Sequence, residues 1–126
     1  MSNEEILRSF VDDSSLHPLN LDLIYEGLTE HILSSEEIFM FRDTYVDRVS
    51  GILVVTSRKL IHANVSKAFL SSDVEVKAMP YREIRSIDSN DDEVRIVIGA
   101  EIVEYSSFGG SKSTGTMVDL VKDYIQ

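Results

Sequence analysis

Gly51-Ile52-Leu53-Val54-Val55-Thr56-Ser57-Arg58-Lys59-Leu60-Ile61 is the stretch on which the fold turns. Residues 51–56 are rich in β-branched side chains, which suit a pleated strand. Residues 60–65 repeat that character, and Ser57-Arg58 between them allows only a tight connection. The pattern predicts a β-hairpin, although the Asn-Gly pair favoured by two-residue turns is absent. Working downstream, residues 66–73 read as a loop with Phe69 and Leu70 at its centre. Val74, Val76 and Ala78 then alternate with Glu75, Lys77 and Met79, the period-2 signature of a half-buried strand. Pro80 ends it, residues 81–84 turn, and a strand begins at Ile84. Ser89-Asn90-Asp91-Asp92 is a polar turn, Val94, Ile96 and Ile98 mark another strand, and Gly99-Ala100 leads to a last one over 101–105. Upstream, Ile38, Phe39, Met40 and Phe41 open the strand series.

Helical patterns flank these strands. Residues 2–11 form a short helix, with Asn3 as its cap, Glu4 and Glu5 in its first turn, and Ile6, Leu7 and Phe10 on one face. Residues 12–18 read as a linker. A second helix is expected over 21–33, capped by Asn20, with Ile24, Leu28 and Ile32 at helical spacing. Gly27 inside it marks either close packing or a weak helix, at about 1 kcal/mol relative to alanine. Residues 108–115 read as a flexible connector, and 116–126 as an amphipathic helix capped by Ser113 or Thr114. Met117, Leu120, Val121, Tyr124 and Ile125 share its apolar face. About seven short strands and one terminal helix predict a mainly β fold, a bent antiparallel barrel with a helix over one open end or edge.

Two runs carry a family resemblance. The hairpin of residues 51–61 resembles the LxxTxxRLI hairpin of bacterial pleckstrin-homology-like (PH-like) domains. Val76-Lys77-Ala78-Met79-Pro80-Tyr81-Arg82-Glu83-Ile84-Arg85-Ser86-Ile87 is similar to that family's xxIPYxxIxxI strand, turn and strand. Lys59 stands for the usual arginine, and Met79 for the usual isoleucine. The resemblance covers residues 21–126 and leaves 1–20 as an N-terminal extension. It implies a seven-stranded bent barrel with a C-terminal helix, ring-like oligomers in some members, and no shared catalytic constellation. It also makes Pro80 and Tyr81 fold determinants, shaping a corner between strands.

Charge narrows the partners. The 126 residues include 22 acidic and 12 basic side chains, for a net charge of −10. Such a surface repels phosphate backbones and anionic lipid heads, which argues against nucleic acid and membranes. Cysteine is absent, which removes disulfides, thiolate nucleophiles and thiolate metal sites and fits a cytoplasmic location. The N-terminus lacks the basic and apolar regions of a signal peptide, and no apolar run is long enough to span a bilayer.

Candidate chemistry is sparse. His17, His31 and His62 show no metal-ligand spacing, and no G-x-S-x-G elbow is present. The acidic pairs Asp12-Asp13, Glu36-Glu37 and Asp91-Asp92 match no Ca²⁺ loop and read as solvated loops and helix ends. Gly109-Gly110-Ser111-Lys112-Ser113-Thr114-Gly115 lacks the phosphate-loop spacing. Arg58, Lys59, Lys67, Lys77, Arg82 and Arg85 are the nearest thing to a basic cluster. In eukaryotic pleckstrin-homology domains basic residues near the first two strands bind phosphoinositides. Residues 44–50 offer Arg48 alone beside Asp43 and Asp47, too little for a polyphosphate head. No cofactor is expected. The expectation is a non-enzymatic protein-interaction or self-assembly module, with a homo-oligomer or another protein as partner. The alternative is a peripheral membrane or lipid-head-binding domain. Ile6, Leu7 and Phe10, and Phe69 and Leu70, are the candidate contact residues; each group either packs into the core or meets a partner.

Overall fold

The computed structural model of the protein describes residues 2–13, 18–46, 49–68, 71–90, 93–107 and 110–125. Two helices come first, α1 (Asn3–Asp12) and α2 (Pro18–His31). Seven strands follow: β1 (Ile38–Val46), β2 (Val49–Thr56), β3 (Lys59–Ala68), β4 (Ser71–Pro80), β5 (Ile84–Asn90), β6 (Glu93–Ile98) and β7 (Glu101–Ser107). A single 3-10 turn, Tyr81–Glu83, joins β4 to β5, and α3 (Gly110–Ile125) closes the order. All described pairing is antiparallel, in the order β4-β3-β2-β1-β7-β6-β5. Among the described residues β1 meets β7 at Thr44 with Ser107 and at Tyr45 with Ser106, which joins the two halves.

The apolar run Ile52-Leu53-Val54-Val55 has a direct physical consequence. Every residue of 51–56 is buried, so this part of β2 has no solvent face. Leu53 and Val55 point into the barrel with Leu60, Met79, Ile87, Ile96 and Tyr105. Ile52 and Val54 point the other way, with Ile61 and Ala63, onto Leu7, Val11, Ile24 and Leu28 of α1 and α2. A strand covered on both faces reads as a continuous apolar run rather than an alternating one. The half-sheet β1–β4 is thus sandwiched between the barrel interior and two helices. The other half, β5–β7, takes α3, whose Met117, Val118 and Val121 complete the inner core.

Gly27 lies where α2 crosses β4. A Cβ there would sit 2.9 Å from Val76 Cγ2 and 3.0 Å from Val74 Cγ2, so this glycine is a close-packing residue. Val74 and Val76 face these helices, while Met79 is buried on the barrel side and Ala78 is exposed. The expected Val74-Val76-Ala78 face therefore holds only for its first two members.

Several expected boundaries move. Ser2, not Asn3, caps α1, its Oγ accepting from Glu5 N at 3.2 Å. Asn3 instead donates through Nδ2 to Leu33 O at 2.9 Å and Glu36 O at 2.6 Å. Helix α2 starts at Pro18, not Leu21, since the fixed φ of proline suits a first helical turn. The loop expected over 66–73 is largely strand: β3 runs to Ala68, β4 starts at Ser71, and these two residues pair. Helix α3 starts at Gly110, so the connector expected over 108–115 and the cap expected at Ser113 or Thr114 are both corrected. No apolar residue occurs between Gly110 and Thr116, so these first helical turns carry no periodic signal. Among the described residues no helix is long and apolar enough to cross a membrane.

Candidate functional site

The two motif runs meet in space. Lys59 pairs with Pro80 and Leu60 with Met79 across β3 and β4. Thr56 Oγ1 accepts from the backbone N–H of Arg58 at 3.2 Å and of Lys59 at 3.1 Å, which closes the Ser57-Arg58 turn without an Asn-Gly pair. The same hydroxyl donates to the Glu36 carboxylate. Tyr81 OH donates to Thr56 O at 2.5 Å, tying the second run to the first. The Tyr81 ring stacks on Tyr124 of α3 at 5.3 Å, and Tyr124 on Phe39 at 5.6 Å. Threonine, tyrosine and the cation before Leu60 are therefore parts of one corner that joins hairpin, 3-10 turn and terminal helix.

Glu36 is the residue that the sequence did not reveal. It does not sit in solvent as its acidic pair suggested: its side chain is fully buried, while Glu37 is exposed. Lys59 Nζ lies 2.9 Å from Oε1, and Leu33 N donates to the same oxygen at 3.1 Å. Desolvation pushes the Glu36 carboxyl up. The hydrogen bonds from Thr56, Lys59 and Leu33 N, with the charge of Lys59, outweigh it and hold the group below the usual carboxylate range. A buried, fully bonded carboxylate is a structural anion, and nothing here directs it at a substrate. The signal that points to it is Lys59, the cation directly before the apolar Leu60-Ile61 in the family-like run.

A cleft of about 750 Å³ opens where the inner side of β3 and β4 faces β7 and the middle of β6. His62 and Tyr105 line it, their rings 5.0 Å apart in an edge-on arrangement. Ile61 and His62 face opposite sides of β3, as strand alternation requires. His62 is 6% exposed, and burial, then the charge of Lys77, pushes its pKa down to about 4, so the ring is neutral at pH 7. Its Nε2 leans over Gly51, where a Cβ would lie 2.8 Å away; no larger residue fits beneath the imidazole. Nε2 has no hydrogen-bond partner among the described residues, and the same holds for Thr44 Oγ1 and Arg42 Nε. Lys77 Nζ and Glu101 Oε2, 2.5 Å apart, bridge the cleft from β4 to β7. A serine hydrolase would need a serine beside His62, and the described lining includes carboxylates but no serine.

The predicted contact residues divide. Leu7 is fully buried against the barrel, so in this structure it is core and not contact surface. Ile6 is half-buried. Phe10 is 36% exposed and stacks on Phe41 at 5.0 Å. Phe69 and Leu70 lie outside the described residues, as do His17, Asp47, Arg48, Asp91, Asp92 and Gly109. The basic cluster does not assemble around one ligand: Lys59 is paired with Glu36 and Lys77 with Glu101. His31 donates through Nδ1 to Gly27 O at 2.9 Å, a bond to a carbonyl near the C-terminus of α2. Among the described residues no three His, Asp or Glu side chains are grouped to hold a metal ion.

Neither protein-family models nor curated proteins match the chain. Solved structures do. The FERM and C-terminal domain complex of Drosophila Merlin is similar over 90% of this chain and 37% of that one, at 14% identity and a TM-score of 0.56. A pleckstrin homology domain from Shewanella amazonensis is similar over 79% of this chain and 93% of its own, at 17% identity and a TM-score of 0.54. A pleckstrin-homology-domain protein from Shewanella loihica is similar over 85% of this chain and 98% of its own, at 20% identity and a TM-score of 0.50. With the seven-stranded order and the C-terminal helix, these likenesses show that the chain has the fold of bacterial PH-like domains.

Proposed function

We propose that the chain is a non-enzymatic interaction module in the cytoplasm, whose partner is a protein, either further copies of itself or another chain. The observation that carries this reading is the open sheet. Among the described residues β4 pairs with β3 alone and β5 with β6 alone. Unpaired strand edges are templates for another chain. The placement of Thr56, Glu36, Lys59 and Tyr81 in one structural corner supports the same view, because it uses the family-like residues for folding. The Merlin structure, a FERM domain held in complex with a C-terminal domain, is a protein–protein assembly on a similar fold. The net charge of −10 disfavours the lipid-head alternative.

Co-sedimentation with vesicles of phosphatidylcholine and phosphatidylglycerol at low salt tests the class of partner. The chain is expected to stay in the supernatant; sedimentation with the vesicles would overturn the reading in favour of membrane binding. Light scattering after size exclusion then sorts the protein partners. A defined multiple of 14.2 kDa means self-assembly, and a monomer of 14.2 kDa assigns the edges to a different protein.

A further inference from the structure

We propose that β4 pairs antiparallel with β4 of a second copy of this chain, about a two-fold axis at Val76, so that Glu75 of each copy meets Lys77 of the other. This rests on the reading of the chain as a protein-interaction module, and it names the surface and the partner.

Among the described residues β4 forms a ladder with β3 alone, and no backbone hydrogen bond outside the ladders involves residues 74–78. In an antiparallel ladder alternate residues direct N–H and C=O to the paired neighbour, and the others direct both groups away. The side of β4 away from β3 therefore carries a row of donors and acceptors that another strand completes.

The side chains of that strand select the partner. Val74-Glu75-Val76-Lys77-Ala78 reads apolar, acidic, apolar, basic, apolar. Register with β3 puts Glu75 and Lys77 on the barrel side with Asn64 and His62, while Val74 and Val76 face α1 and α2. A two-fold axis perpendicular to the sheet turns the strand end for end and keeps each face on its own side. Centred on Val76, it sets Val76 opposite Val76, Val74 opposite Ala78 and Glu75 opposite Lys77. Each apolar residue meets an apolar one and each charge its opposite, and the symmetry makes every such contact twice. An axis at Glu75 or at Lys77 would instead set that charge against its own copy. Charge thus fixes the register as well as the partner. Charged side chains on an edge strand ordinarily discourage pairing. Here their opposite signs at two-fold-related positions turn away other strands and admit this one.

Both groups are free to make the contact. Glu75 is exposed and has no ion pair among the described residues. Lys77 gives one ammonium proton to Glu101 and has two more, so it holds Glu101 of its own chain and the partner's Glu75 together. The net charge of −10 on each copy opposes association, which makes the contact a weak one.

The test is sedimentation velocity of the full chain from about 1 μM to about 1 mM, the range that weak contacts span. The mass is expected to rise with concentration towards twice 14.2 kDa. Glu75→Lys sets lysine against lysine, and Lys77→Glu sets glutamate against glutamate. Each is expected to keep its circular dichroism spectrum and to dimerise at least tenfold more weakly. Mixed in equal amounts, the two variants restore both opposite-charge pairs and are expected to form a one-to-one dimer as tight as that of the unaltered chain. Because Lys77→Glu also removes the pair with Glu101, Glu101→Gln is the control and is expected to leave association unchanged. Unaltered chain that stays monomeric throughout would overturn the proposal while the interaction reading stands. So would a dimer indifferent to both variants, or a mixture that does not associate. A monomer that sediments with anionic vesicles would overturn both.

Discussion

At the scale of single residues, the corner around Thr56 shows how one short motif can be written for folding. Glu36, Lys59, Thr56 and Tyr81 satisfy one another in a place where each alone would be a buried polar liability. Glu36→Gln keeps the shape and removes the charge, leaving the Lys59 ammonium, with its side chain 17% exposed, without a counter-ion. A loss of about 3 kcal/mol is expected in urea unfolding, because breaking a buried pair strands the surviving charge. Tyr81→Phe removes the donor to Thr56 O and should cost about 1–2 kcal/mol by the same measurement. His62 gives a pH signature. Its folded pKa, about 4, lies below the usual 6.5, so the unfolded chain takes up the proton first as pH falls. Stability is complete above about 6.5 and is lost on the way down towards pH 4. Between about pH 7 and about pH 5 the loss should reach about 2 kcal/mol, at 1.36 kcal/mol per pH unit below 6.5. His62→Gln should remove that dependence; an equal slope in the variant would assign it to other groups. These residues differed in how legible they were. Thr56 and Tyr81 stood out through the family pattern, while Glu36 looked like one of many surface acids. Its burial depends on a contact with Thr56 twenty residues away in the chain.

At the scale of elements, α1 belongs to the core. Leu7 and Val11 are fully buried against α2 and the outer face of β2 and β3. Arg8 adds ion pairs to Asp22 at 2.7 Å and Asp12 at 3.3 Å, exposed links that position the helix more than they stabilise it. Leu7→Ala should therefore cost about 2–5 kcal/mol in chemical denaturation; a change below about 0.5 kcal/mol would mean that α1 is detached in solution. Gly27→Ala separates intrinsic propensity from packing. In an open helix it would gain about 1 kcal/mol, but here the new methyl meets Val76 and Val74 and a loss of about 1–2 kcal/mol is expected. The strands and the apolar face of α3 were legible because their periods of 2 and 3.6 are written in apolar residues. The start of α3 and the ends of β3 and β4 were not, because polar and small residues there extend an element without marking it. The depth of the first half-sheet was half-legible. Ile52-Leu53-Val54-Val55 has no polar alternation, and the reason appears only when α1 and α2 cover the outer face.

At the scale of the whole molecule, the two half-sheets are joined where β1 meets β7. On one side α3 fills the space, with Met117, Val118 and Val121 in the inner core. On the other side a cleft opens between the inner side of β3 and β4 and the strands β6 and β7, crossed by the exposed pair of Lys77 and Glu101. A barrel that pairs fully has no edges to offer, whereas among the described residues β4 and β5 each pair with one neighbour. The measurement that bears most directly on the proposed interaction role is co-sedimentation of the full chain with phosphatidylglycerol-containing vesicles at low salt. A chain of net charge −10 is expected to stay in the supernatant. Sedimentation with the vesicles would contradict the role and assign the chain to a membrane surface.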